Sequence, residues 1–319
     1  MAVRRTSLPI LQDELGRSTG ASRFKPEWLK IRPPGGATYG ALKATARRLK
    51  LATVCEEAQC PNLSECWGGG TATFMLMGDV CTRGCRFCAV NTARVPPALD
   101  PNEPEHVAEA VSKMGLTYVV ITSVNRDEQP DGGAAHLAEC LRAIKVASPD
   151  VLIEVLIPDF QGDTRALQEI LEAPISVLAH NVETVARLTP EVRDPRASYQ
   201  QSLDVLEAAK DRAPHLLTKS SIMLGLGETF EEIEETMCDL VARRVDILTL
   251  GQYLRPSPRH LPVVEYVHPA VFERLAERAR ALGFGYVASG PLVRSSYRAG
   301  ELYVEKTLRP STAGSQGSG

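Results

Sequence analysis

Cys81, Cys85 and Cys88 stand in the stretch CTRGCRFC with C-x3-C-x2-C spacing. Soft thiolates so grouped select zinc, copper(I) or an iron–sulfur cluster. A structural zinc takes four ligands, and no fourth cysteine follows nearby. In a cubane 4Fe–4S cluster each iron is normally held by one cysteine, so three cysteines leave one iron open to a small molecule. A second trio, Cys55, Cys60 and Cys66 in VCEEAQCPNLSECW, has C-x4-C-x5-C spacing and again needs its fourth ligand from elsewhere. An odd trio cannot pair internally, which disfavours disulfides. Six of the eight cysteines fall between residues 55 and 88, a crowding that reads as metal binding in a reducing compartment. Cys140 and Cys238 lie in helical patterns and are expected as buried, inert thiols.

The elements that must carry these thiols follow from residue 73 onward. Apolar, β-branched runs recur at 73–79, 117–123, 151–158, 175–181, 218–227 and 246–254, with helical patterns such as 132–147, 199–211 and 229–243 between them. In the last of these Phe230, Ile233, Met237, Leu240 and Val241 share one face, while Thr229 and Glu232 have capping-box spacing. Strand–helix alternation implies an α/β fold with a parallel sheet and right-handed crossovers, either an incomplete barrel or a doubly wound sheet. Both gather ligands at the C-terminal ends of their strands. The CTRGCRFC stretch directly follows the first strand, so it belongs on that rim.

Net charge is −3, but residues 1–50 carry eleven Lys and Arg against Asp13, Glu14 and Glu27, a local balance of about +8. No run approaches the roughly 20 apolar residues of a membrane span, and SLPILQ is too short for a signal-peptide core. A cytoplasmic protein is expected, or a mitochondrial or plastid matrix protein if it is eukaryotic and processed. Neither nucleic acid nor membrane is expected as a partner. The tail at 309–319 is small and polar and is expected to be disordered. No histidine pair has zinc-binding spacing, and core packing is expected of His180.

C-x3-C-x2-C after the first strand of such a fold resembles the radical S-adenosylmethionine superfamily, whose usual aromatic before the third cysteine is matched by Phe87. The whole pattern, from the upstream trio through GGGTATFMLMGDVCTRGCRFCAV, VVITSVNRDE, AHNVETV, KSSIMLGLGE, LTLGQYLRPS and VASGPLVRSSY, resembles the lipoyl synthase family over roughly residues 50–300. Asn125 and Arg255 depart from it, standing where that family more often has Asp and Gln.

The resemblance implies a partial (β/α)6 TIM-type barrel at 71–284, an N-terminal cluster-binding extension at 1–70 and a C-terminal extension at 285–308. It implies a sulfurtransferase with two 4Fe–4S clusters and S-adenosylmethionine. One cluster rests on Cys81, Cys85 and Cys88, with its open iron chelating S-adenosylmethionine. The other, a sulfur donor, rests on Cys55, Cys60, Cys66 and a serine of RSSY, Ser296 or alternatively Ser295. A serine oxygen is a harder, poorer ligand for iron than a thiolate, which suits a cluster that gives up an iron. Contacts to S-adenosylmethionine are expected from Thr122, Ser123, Asn181, Glu183, Lys219, Ser221, Gln252, Tyr253 and Leu254. The implied substrate is an octanoyl-lysine of a lipoyl carrier domain, met by Arg294, Arg298 and the basic arm. An electron donor such as ferredoxin or flavodoxin and a cluster-assembly protein complete the partners. Two readings compete, another sulfur-inserting radical enzyme and a non-catalytic iron–sulfur or zinc scaffold. C-x4-C-x5-C together with RSSY argues against the first, and a count of bound metal separates the second.

Overall fold

The computed structural model describes residues 25–30, 44, 47–49, 51–53, 71–296 and 301–308. Cys55, Cys60, Cys66, Arg298 and the 309–319 tail lie outside the described residues.

All six strands read from the apolar runs are present: β2 (Thr71–Leu76), β5 (Tyr118–Ser123), β6 (Leu152–Leu156), β7 (Val177–Ala179), β8 (Leu217–Leu224) and β9 (Ile247–Gln252). They pair in chain order, each parallel to the next. Their β-branched runs are buried along nearly their whole length, as strands covered on both faces require. The sheet continues at both edges. β1 (Ala52–Thr53) pairs antiparallel with β2, and β10 (Tyr286–Gly290) pairs parallel with β9. No pairing joins β1 to β10 among the described residues, so the sheet is an open, partial barrel. A separate two-stranded ribbon, β3 (Val80–Cys81) with β4 (Asn91–Thr92), carries the start of the cysteine loop.

The crossover helices are α1 (Glu103–Lys113), α2 (Ala134–Ala147), α3 (Thr164–Leu171), the short α4 (Thr189–Val192), α5 (Tyr199–Arg212), α6 (Phe230–Ala242) and α7 (Pro269–Leu282). The capping box expected at α6 is formed, with Glu232 N donating to Thr229 Oγ1 and Thr229 N to the Glu232 carboxylate. Cys140 is buried on α2, but Cys238 is exposed, contrary to expectation. It follows Met237 by one residue, about 100° round the helix, and so leaves the face that buries Ile233, Met237 and Leu240.

The last helix, α8 (Glu301–Leu308), closes the end of the barrel opposite the cysteines. Its Val304 is fully buried among Tyr118, Leu152, Val177, Leu217 and Ile247, which stand at or near the first residues of five strands. Tyr303 stacks on Tyr286 at 5.6 Å between ring centroids. The C-terminal ends of the strands are thereby left for chemistry.

Candidate active site at the C-terminal rim

Met77 and Gly78 follow β2 with φ of +65° and +86°, and this double left-handed turn brings the chain back over the rim to Cys81. Four separate segments hold the loop from Cys81 to Cys88. Behind β5, Asn125 O accepts from Thr82 N at 3.0 Å, and Asp127 accepts from Thr82 Oγ1 at 2.8 Å. Arg83 is buried between two carboxylates, with Nε and Nη2 on Asp127 and Nη1 on Asp159 behind β6. From the segment after β7, Val192 O accepts from Arg86 N, and an Asp194 oxygen accepts from Gly84 N at 2.8 Å. Beyond β9, Leu261 N donates to Arg86 O, and His260 Nε2 lies 2.9 Å from Cys88 O. That carbonyl can only accept, so the ring carries its proton on Nε2 and takes the Ser257 hydroxyl at Nδ1, 2.8 Å away.

Backbone N–H groups point at the sulfurs. Arg83 N and Asn125 N lie 3.4 and 3.3 Å from Cys81 Sγ, and Asp194 N lies 3.3 Å from Cys85 Sγ. Such bonds favour sulfur carrying negative charge. Burial nevertheless pushes the Cys85 thiol up to about 11 and the Cys88 thiol to about 12. Thiols that hold their protons this firmly become thiolates only against a strong positive partner such as an iron cluster. Burial would also raise Asp127 and Asp159, but the hydrogen bonds from Arg83 outweigh it and hold both carboxyls below the usual range.

The three cysteines open on a cavity of about 720 Å3. Thr122, Ser123, Asn181, Glu183, Gln252, Tyr253, Leu254, Arg294, Ser295 and Ser296 all line it, so the loop and most of the expected contacts share one space. β7 ends at Ala179, and the chain rejoins the sheet only through a single bridge between Glu183 and Ile222. This detour turns Asn181 into the cavity and leaves Glu183 at φ +69°. Burial raises the Glu183 carboxyl above its ordinary value, against the lowering influence of Arg193 and Asn181. Ser123 Oγ and Asn181 Oδ1 are buried on the wall without a hydrogen-bond partner among the described residues. Buried polar atoms rarely go unpaired. Two on one wall, beside a strained carboxylate and three thiols, fit a polar ligand seated against an iron–sulfur cluster.

Other expected contacts are placed differently. Lys219 lies off the cavity wall, one layer down, where its ammonium is buried against Glu154 at 2.7 Å and Tyr118 donates to the same carboxylate. Ser221 lines only a small adjoining space of about 80 Å3 together with Glu183 and Ser295. The Gln252 side chain is taken up by backbone, donating to the carbonyls of Leu224, Tyr253 and Glu265 and accepting from Val267 N. The Tyr253 phenol donates to Leu261 O. These two residues therefore present mainly backbone to the cavity. The sequence reading missed Arg83, Asp127, Asp159, Asp194 and His260. Arg83 sits inside the cysteine motif itself and was the one findable signal.

His180 is buried as expected. Nδ1 donates to Ile157 O at 2.9 Å, which leaves Nε2 to accept the Ser202 hydroxyl at 3.0 Å. Burial, aided by Arg193, lowers its pKa to about 4. Folding thus favours the neutral ring. Stability from this group is complete above the unfolded value of about 6.5 and is lost as pH falls towards 4. Roughly 3 kcal/mol should disappear across that window. Urea unfolding of wild type and His180→Gln at both pH values checks this, the variant showing the flatter profile.

The description "N-terminal domain of lipoyl synthase of Radical_SAM family" matches residues 5–60, and that of the radical SAM superfamily matches 75–240. Lipoyl synthase of Anaeromyxobacter dehalogenans (strain 2CP-C) is 58% identical over 288 residues, covering 90% of this chain and 98% of its own. That of Thermus thermophilus is 57% identical over 92% of this chain and 91% of its own. The mitochondrial lipoyl synthase of Branchiostoma floridae is 58% identical over 93% of this chain and 81% of its own. Among solved structures, Streptococcus suis SuiB bound to S-adenosylmethionine superposes with a TM-score of 0.54 at 11% identity, covering 72% of this chain and 55% of SuiB. This last likeness is one of fold. With a cysteine loop on the rim of a partial barrel and relatives this similar along nearly their whole length, the chain belongs to the lipoyl synthase family of the radical SAM superfamily.

Proposed function

We propose that this protein is a lipoyl synthase, which inserts two sulfur atoms at the sixth and eighth carbons of an octanoyl group held in amide linkage by a carrier-domain lysine. The observation that carries the reading is the cavity wall: three half-buried cysteines, Cys81 and Cys85 receiving backbone N–H groups at sulfur, face across one space Ser123 and Asn181 oxygens that have no partner among the described residues. Two bound 4Fe–4S clusters and S-adenosylmethionine supply the electron, the hydrogen-abstracting 5′-deoxyadenosyl group and the sulfur.

The chain's own residues do the rest. Cys81, Cys85 and Cys88 hold the first cluster, and Arg83 with its two aspartates keeps their loop from moving when it is loaded. Asn181, Ser123 and Thr122 offer hydrogen bonds to hydroxyl and amino groups of S-adenosylmethionine, and the Glu183 carboxylate accepts from whichever of these it meets. Cys55, Cys60 and Cys66 hold the donor cluster, with Ser296 or Ser295 as the fourth ligand. Both serines lie on the same cavity as the first trio, which supports a donor cluster within reach of the substrate carbon. We divide the chain accordingly into 1–70 with the donor trio, the barrel at 71–284, and 285–308 with the serines. Arg294, Arg298 and the basic arm are the proposed contacts for the carrier domain. A ferredoxin or flavodoxin as reductant and a cytoplasmic setting belong to the same reading; no described helix is long and apolar enough to cross a membrane.

Anaerobic turnover of cluster-reconstituted protein on an octanoyl-lysine peptide, with reductant and S-adenosylmethionine, tests the assignment by mass spectrometry. A peptide gaining two sulfurs is the expected product. Formation of 5′-deoxyadenosine over an unchanged peptide would keep the superfamily and refute the substrate.

A further inference from the structure

Glu103 lies outside the cavity, at the first residue of α1, and nothing in the chemistry above uses it. Its carboxylate is largely buried, and both oxygens face the backbone N–H of Met77, at 3.0 and 2.9 Å. His136 Nε2, from α2, stands 2.7 Å from the second of these oxygens. Met77 is the residue that leaves β2 for the cysteine loop, four positions before Cys81. A non-glycine residue with φ near +65° crowds its Cβ against the following carbonyl, so the conformation persists only where the surroundings impose it.

Here they impose it from three sides. Glu103 takes the Met77 N–H. Arg126 Nη1 donates to the Met77 carbonyl at 2.8 Å, and the same guanidinium is fixed by Pro97 O and Glu128. The thioether lies over Gly133, where a Cβ would come within 2.3 Å of Met77 Sδ. Of these restraints the Glu103 carboxylate is the one that holds the Met77 N–H, and it sits at a helix N-terminus where a negative charge is favoured.

We propose that Glu103, steadied by His136, is a positioning residue for the radical reaction: through the Met77 amide it fixes the turn that delivers Cys81 to the rim. This rests on the reading of Cys81 as a cluster ligand. The same neighbourhood offers a rival use, since Glu103, His136 and Cys140 bring an oxygen, a nitrogen and a sulfur within 4.8 Å of one another. Both carboxylate oxygens already face the Met77 N–H, and one also faces the imidazole, which favours the clasp over an ion.

The test compares holoenzyme carrying Glu103→Ala, Glu103→Gln or Cys140→Ser with wild type. Glutamine can turn its oxygen to the Met77 N–H and its amide N–H to His136 in the other tautomer, so it should retain the clasp. Glu103→Ala is expected to speed hydrogen exchange at the Met77 amide by about 10-fold or more. It should also change the electron paramagnetic resonance spectrum of the reduced radical cluster and lower kcat for 5′-deoxyadenosine by about 10- to 100-fold, with KM for the octanoyl peptide within about twofold. Glu103→Gln should return each readout to within about threefold of wild type. If Glu103→Ala does not fold, His136→Leu should move exchange and spectrum the same way by less.

An unchanged spectrum and unchanged Met77 exchange in Glu103→Ala would overturn the proposal, as would a glutamine variant no better than alanine. A further equivalent of metal beyond the cluster iron, lost in Cys140→Ser, would make the three residues an ion site instead. Wild type that forms no 5′-deoxyadenosine would sink the cysteine assignment, while Met77 exchange would still judge the clasp.

Discussion

Cys85→Ala will abolish 5′-deoxyadenosine, and Cys55→Ala will leave it while abolishing sulfur insertion. The two outcomes separate because the two trios have different tasks in the proposed reaction. In the proposed site Cys85 is one of three protein ligands to the cluster, so alanine would leave two, and no neighbouring described cysteine replaces it; Cys140 is buried on α2 and Cys238 exposed on α6. Its place is also the point where Asp194 grips the loop from both directions, donating its N–H to Cys85 Sγ and accepting from Gly84 N. With the thiol gone, only the second of these bonds remains. The expected loss is to the detection limit, since no side chain can supply the radical by another route. Cys55→Ala would remove a ligand of the proposed donor cluster alone. Anaerobic assays that quantify 5′-deoxyadenosine and thiolated peptide in the same sample read both. Equal loss of both products in the two variants would refute the division of labour.

The second large effect concerns Arg83, which stands between the first two cysteines of the loop. Its side chain is 3% exposed, and it pairs with Asp127 and with Asp159, the latter fully buried. Arg83→Met keeps much of the volume, leaves Asp159 buried without its guanidinium partner, and leaves Asp127 with Arg196 alone. Breaking a buried pair from one side costs about 3–5 kcal/mol, and that loss should appear as a lower urea midpoint with an unchanged slope. Arg83→Lys is expected to recover little of it. An ammonium is a compact point charge and cannot span two carboxylates with the planar fork that Arg83 uses. Because burial raises Asp127 and Asp159 while Arg83 lowers them, the variant should also change its pH profile. In wild type the two carboxyls contribute stability that is complete above about pH 4 and fades only below it. In Arg83→Met that acid-labile contribution should disappear: burial without the guanidinium favours the protonated carboxyls, so the variant's deficit should be greatest near neutral pH and shrink as pH falls. A variant with wild-type midpoint and pH profile would show that the ion pairs are incidental to the loop.

The catalytic face was more legible in the sequence than the frame that braces it. The cysteine spacing, the six apolar runs and the capping box at Thr229 each depend on local pattern, and each reappears in the fold. Strand β10 was not read because YVASG is short and rich in small residues, so it carries little β signal. Lys219 shows the limit of resemblance-based contacts. Its strand was correctly placed, but whether it meets a ligand or Glu154 depends on which layer of the barrel it occupies, and no periodicity encodes that. The same holds for Asp159, Asp194 and His260. Each is a single polar residue in an irregular segment, and only the closing of the sheet brings it to the loop.

That dispersal has a consequence for biosynthesis. The cysteine loop follows the first strand of the barrel, whereas His260, which reaches the carbonyl of Cys88, lies 172 residues further along the chain. At about 5–20 residues per second a ribosome needs roughly 10–30 s to make that stretch. Until then the thiols stand on a nascent chain whose final restraint does not yet exist. The full set of restraints on the loop therefore forms only late in synthesis, after β9, the sixth strand of the barrel, has been made.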